Sequence, residues 1–125
     1  MSLYNKSSGS PSVAWGIRTA DDRYPVSDAE FQSVISRMLR DVAMGYEQFV
    51  VLEPSAAVGE YSFIQACRDD ATGQLHLEVG VSGRHSGGRP LLLARDAVSE
   101  AEAFALFDKY RREHTVNTRG WYTLR

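Results

Sequence analysis

Residues 60–81 read EYSFIQACRDDATGQLHLEVGV, and this stretch decides the fold. In its second half Leu75, Leu77, Val79 and Val81 alternate with Gln74, His76 and Glu78. That period of two gives a strand one apolar and one polar face. The first half, Glu60 to Arg68, reads as a second strand with Tyr61, Phe63, Gln65 and Cys67 on one face. Asp69-Asp70-Ala71-Thr72-Gly73 has the composition of a turn. A link this short makes the two strands an antiparallel hairpin, since a parallel pair needs a crossover.

Upstream, Gln48 to Glu53 holds the unbroken apolar run Phe49-Val50-Val51-Leu52 and reads as a strand covered on both faces, ended by Pro54. Downstream, Leu91 to Arg95 reads as a fourth strand after the glycine-rich loop Ser82 to Pro90. Short links between successive strands predict a meander.

Two helices flank it. Phe31, Val34, Ile35, Met38, Leu39 and Val42 fall at helical spacing, with Ser27 and Glu30 as a capping box, Val26 and Phe31 as a hydrophobic staple, and Gly45 beyond the last turn. Ser99 and Glu102 form a second box, opening a helix to about His114 with Ala103, Phe104, Phe107 and Tyr110 as its stripe. At the ends, Val13 to Arg18 is a short strand or extended arm anchored by Trp15, and Trp121 to Leu124 is a candidate edge strand; Ala20 to Pro25 reads as a loop. The expected fold is α+β: an antiparallel meander of four to five strands flanked by two helices.

The 125 residues suit one domain, residues 13–125, behind a small, polar tail at residues 1–12 that reads as disordered. No apolar run approaches the roughly 20 residues that span a bilayer, and the N-terminus lacks a signal-peptide pattern, so the expected location is cytoplasmic, without a membrane partner. Net charge is −2, which argues against nucleic-acid binding. The charge is uneven: residues 1–83 hold 6 basic and 11 acidic groups, residues 84–125 hold 8 and 5. The late basic excess (Lys109, Arg111, Arg112, Arg119, Arg125) is either a solvated face or a mild dipole that orients a partner.

Chemistry-bearing constellations are few. His76 and Glu78, two apart on a strand, project from one face as a general acid/base pair would. The pattern shares the H-x-E of zinc deaminases but lacks the P-C-x-x-C that must follow; the simpler reading is two polar residues on an exposed face. Arg84, His85 and Arg89 sit in the Ser82–Pro90 loop, where two arginines and flexible glycines suit an anion, with His76 and Glu78 as neighbours. No Gly-Lys-Ser/Thr follows, so this is not a P-loop, and an ordinary hairpin loop is the plainer alternative. Cys67, the only cysteine, is expected towards the core as an inert thiol, nucleophilic only if His76 faces it. The three histidines lack ligand spacing, so neither a metal nor a cofactor is expected.

The aromatics Tyr61, Phe63, Trp121 and Tyr122 are surplus to an ordinary core. Helices on one face of a sheet leave the other to be accounted for. Gathered there, these residues would form a partner-binding or dimerisation patch; alternatively the two termini cover that face themselves.

Tyr61, Gln65, Gly73, Leu75 and Glu78, followed by Gly120-Trp121, resemble the actinobacterial TY-Chap-like domains, which are similar in fold to YbjN and to type III secretion chaperones. The resemblance covers about the last two-thirds of the chain. It implies an α+β chaperone-like module, often dimeric, that holds a partner polypeptide and has no catalytic residues. The chain also resembles small bacterial immunity proteins, which share a helix, a meander and a late tryptophan. The expected function is therefore a non-catalytic protein-binding or chaperone-like module, a homodimer or bound to another protein, and not an enzyme. The alternatives are a toxin-neutralising immunity protein and an anion or small-ligand binder using the 82–90 loop.

Overall fold

The computed structural model describes residues 13–82, 88–89 and 91–124. The tail expected at residues 1–12 lies outside the described residues. In chain order the elements are β1 (Trp15–Arg18), β2 (Arg23–Val26), α1 (Phe31–Met44), β3 (Phe49–Pro54), β4 (Tyr61–Arg68), β5 (Leu75–Val81), β6 (Leu91–Val98), α2 (Glu100–Glu113) and β7 (Tyr122–Thr123). The fold is α+β, with two helices and one antiparallel sheet of order β2-β1-β3-β4-β5-β6-β7.

Seven strands replace the expected four or five. Both terminal segments join the sheet, and so do residues 23–26, expected as loop. Arginine and proline hide β2 from a propensity reading. It forms because β1 offers an open edge and Val26 reaches the core at 7% exposure. Pro25 is tolerated there because an edge strand needs no second ladder. β2 and β3 are both antiparallel to β1 and so parallel to each other, and α1 supplies the crossover they require.

Helix α1 buries Phe31, Ile35, Met38, Leu39 and Val42, each side chain contributing about 1.5–3 kcal/mol by leaving water. Gly45 takes the left-handed conformation at its C-terminus, φ 85°. The N-terminal expectation needs correction. The helix starts at Phe31, its N-cap is Glu30, and no side chain caps it. Only half of the Ser27/Glu30 box exists: the Ser27 N–H donates to Glu30 Oε1 at 2.9 Å, across a turn that precedes the helix. Helix α2 has its full box. The Glu102 N–H donates to Ser99 Oγ at 3.1 Å, and the Ser99 N–H donates to Glu102 Oε1 at 3.4 Å. Its Tyr110 is fully buried, donates to the Tyr61 carbonyl at 2.8 Å and meets the edge of Trp15 at 5.2 Å.

Both helices lie on one face of the sheet, α1 against β3 and β4, α2 against β4 and β5. Val50, Leu52, Ile64, Ala66, Leu77 and Val79 rise to meet them. The expected sharing of a face by Tyr61, Phe63, Gln65 and Cys67 is overturned. A bulge at Ser62 shifts the β4–β5 register between Tyr61 and Phe63. One extra residue reverses the alternation. Tyr61 therefore joins Ile64 and Ala66 in the core, while Phe63, Gln65 and Cys67 turn to the opposite face, half-buried. Among the described residues, no helix is long and apolar enough to cross a membrane.

Candidate functional site

No described element covers the other face of the sheet, and side chains line it in register. Pairing from strand to strand carries one row across all seven: Arg23, Arg18, Val51, Gln65, Glu78, Ala94 and Tyr122. A second row runs Pro25, Gly16 and Glu53 on one side, then Phe63, Gly80 and Leu92, to which the Leu124 N–H bonds at 2.8 Å. A third holds Phe49, Cys67 and His76. Val51 and Ala94 are fully buried although neither belongs to the core beneath the helices. The longer side chains around them roof them over, so this face is packed on its own account.

Gly80 shows how tightly. A Cβ placed there would lie 2.3 Å from Phe63 Cε2 and 2.9 Å from Ser62 Oγ. The phenyl ring therefore rests on the bare glycine backbone, while Ser62 Oγ donates to the Gly80 carbonyl at 3.2 Å.

The polar end of the face is a chain of four side chains. Tyr122 Oη donates to Asp96 Oδ2 at 2.9 Å; His76 Nδ1 lies 2.6 Å from Asp96 Oδ1; His76 Nε2 lies 2.9 Å from Glu78 Oε2. Asp96 gets there by plain register: the pairs Glu78–Ala94 and Leu77–Arg95 lead on to His76 opposite Asp96. The strand becomes irregular only at the next residue, Ala97, which takes φ 56°. Partial burial pushes the imidazolium towards losing its proton, but the hydrogen bonds to Asp96 and Glu78 outweigh it and raise the His76 pKa. Both ring nitrogens can donate only in the charged form. The hydrogen bond from His76, then that from Tyr122, hold the Asp96 carboxyl below its ordinary range. An imidazole with both nitrogens engaged by carboxylates has no lone pair to offer a substrate proton. This arrangement fixes charges in place and is poorly suited to general-base chemistry.

Cys67 stands directly opposite His76 on this face and not in the core. Partial burial, then the negative charges of Glu78, Asp69, Asp70 and Asp96, raise its thiol pKa. The thiolate is disfavoured, the reverse of what activates a nucleophile.

The other expected site residues scatter. Arg84 and His85 lie outside the described residues; Arg89 is exposed in the loop leading to β6. Of the four aromatics, Phe63 and Tyr122 are on the open face. Tyr61 is 4% exposed and its hydroxyl is 3.1 Å from Thr118 Oγ1; Trp121 is packed against the core. Residues missed by the sequence reading are Asp96, Arg18, Gln65 and Leu92. Their signal is the cross-strand register, which period-two alternation alone does not supply. Among the described residues no cluster of His, Cys, Asp or Glu could hold a metal ion.

A wide cleft of about 990 Å³ lies elsewhere, lined by Trp15, Ser55, Val58, Arg111, Arg112 and His114. Its two arginines are ion-paired, although Arg111 Nε is buried without a hydrogen-bond partner among the described residues. Arg111 bonds Asp28 and Asp108 at 2.9 and 3.0 Å and stacks 4.4 Å from the Phe31 ring centroid, and Arg112 bonds Asp108 at 2.9 Å. Of the late basic residues, Arg111 and Arg112 are thus paired with carboxylates of the chain itself. No protein-family model matches the chain, and neither a curated protein nor a solved structure matches it.

Proposed function

We propose that the chain is a non-catalytic protein-binding module and that the open sheet face is its binding surface. The observation that carries this reading is a seven-stranded face, free of helices, that sets an apolar row of Phe63, Leu92 and Leu124 beside a row of fixed charges. Protein interfaces join an apolar centre to a polar rim, and apolar and polar side chains lie side by side on this face. Its size is adequate. Six inter-strand steps of roughly 4.8 Å and three rows of side chains give on the order of 600 Å² per partner, so about 1,200 Å² in all, within the range of specific interfaces. The sheet edges are poor alternatives. β2 is four residues long and contains Pro25, and β7 has two residues, so neither offers a long ladder for strand addition. The resemblance to chaperone-like domains that hold a polypeptide points the same way.

A photo-crosslinking amino acid placed at Leu92 or Phe49, on the open face, is expected to form discrete adducts with a polypeptide in native extract, whether another copy of the chain or a different protein. The same group at Gln32, exposed on α1, is expected to form none of them. Adducts equal at both faces, or absent from the open face, contradict the proposal.

A further inference from the structure

We infer that the occupant of the open face is a second copy of this chain, stacked face to face about a two-fold axis running along β4. This rests on the protein-binding reading above and names the partner.

The charges on the face are polarised across the strands. Arg23 and Arg18 stand at the β2–β1 end, countered by Glu53 alone. Glu78 and Asp96 stand on β5 and β6, countered by His76. Two copies can stack with the axis across the strands or along them. An axis across the strands lays β1 and β2 on their own copies, bringing arginine over arginine and carboxylate over carboxylate, a juxtaposition that costs several kcal/mol. An axis along the strands exchanges the ends. β4 is the middle strand of seven, so β1 then faces the partner's β6, and β2 faces the partner's β7. Arg18 and Arg23 of each copy come over the Asp96–Tyr122 end of the other, twice by symmetry. An isologous contact of this kind closes on itself and stops at a dimer.

Three further features fit that axis. Arg18 is only loosely paired within its own chain: Glu53 lies 3.6 Å away, and about a third of the arginine side chain, 35%, is exposed. Ala94 falls opposite it in that stack, and the half-exposed carboxylate of Asp96 lies one row further along β6. Along the apolar row, Gly16 falls opposite Leu92. The position of a Cβ on Gly16 has no atom closer than 3.9 Å, which leaves room for a side chain from above. At the centre, Gln65 falls over Gln65, whose amide can donate and accept reciprocally across a two-fold axis.

Sedimentation equilibrium on three chains tests the inference: wild type, an acidic-face variant Arg18→Glu with Arg23→Glu, and a basic-face variant Glu78→Lys with Asp96→Lys. The wild type is expected to be a dimer. Each variant alone is expected to dimerise at least about 100-fold more weakly, and an equimolar mixture of the two to form a heterodimer. A monomeric wild type, variants that dimerise as the wild type does, or folded variants that stay monomeric when mixed would each overturn it. Should a variant fail to fold, the wild type alone still decides: on dilution the amide signals of Phe63, Gln65 and Glu78 should shift while those of Gln32 and Arg37 on α1 stay fixed, and the opposite pattern overturns the inference. A monomer that nonetheless crosslinks to another protein from Leu92 removes the second copy and leaves the protein-binding reading standing. Loss of both removes both.

Discussion

Gly80 has no room for a methyl group, because the Phe63 ring occupies the position a Cβ would take. Gly80→Ala is expected to destabilise the fold by about 1–3 kcal/mol, the usual range for an overpacked site. In a Phe63→Ala background the same change should cost much less, with only Ser62 Oγ left close to the new methyl group, so urea denaturation of the four chains of this double-mutant cycle should give a non-additive result. His76 makes a second residue-scale prediction. Its pKa is raised on folding, so its contribution to stability is complete below the unfolded value of about 6.5 and is lost as pH rises through the folded value. Denaturation between pH 6 and about 7.5, below the range where the unfolded Cys67 thiol, about 8.5, begins to titrate, should show the wild type losing stability with rising pH. His76→Gln should lose much less over the same window; an equal slope would show that the Asp96–His76–Glu78 chain contributes nothing. At this scale the sequence was partly legible. His76 and Glu78 share a face because they lie two apart on a strand. Asp96 lies twenty positions further on, and what sets it opposite His76 is the pairing of β6 with β5, which alternation within one strand does not supply. Cys67 lies on the open face, against expectation, for a different reason: one extra residue at Ser62 reverses every side chain on one side of it.

Both helices carry the same cap signature in sequence, yet they begin differently. Ser99 sits at the N-cap of α2 and accepts from the N3 amide. Ser27 is separated from α1 by a turn, and its partner Glu30 becomes the N-cap itself. Ser99→Ala should therefore cost about 1 kcal/mol, whereas Ser27→Ala should stay within about 0.5 kcal/mol. Urea midpoints of the two variants check this, and equal losses would restore a working box at Ser27. The long periodic elements, α1, α2 and the β4–β5 hairpin, were legible because burial of one face imposes a period on many residues at once. β2 and β7 were not. Edge strands of four and two residues owe their form to the neighbour that offers them an edge, and their own composition says little.

At the scale of the molecule, the sequence predicts α+β but not how the layers are arranged. The crossover through α1 and the return through α2 place both helices on one side of a sheet wider than expected, and that width is what leaves a broad second face. On the proposed reading this face is closed by a partner, and in the inferred dimer by a second copy. Cys67 reports on it directly: it is the only thiol in the chain, half-buried, on β4 and on the open face. The rate at which a neutral maleimide labels Cys67 should fall at fixed pH as the protein concentration is raised through the dimerisation range. A labelling rate independent of protein concentration would contradict the claim that the face closes on a second copy.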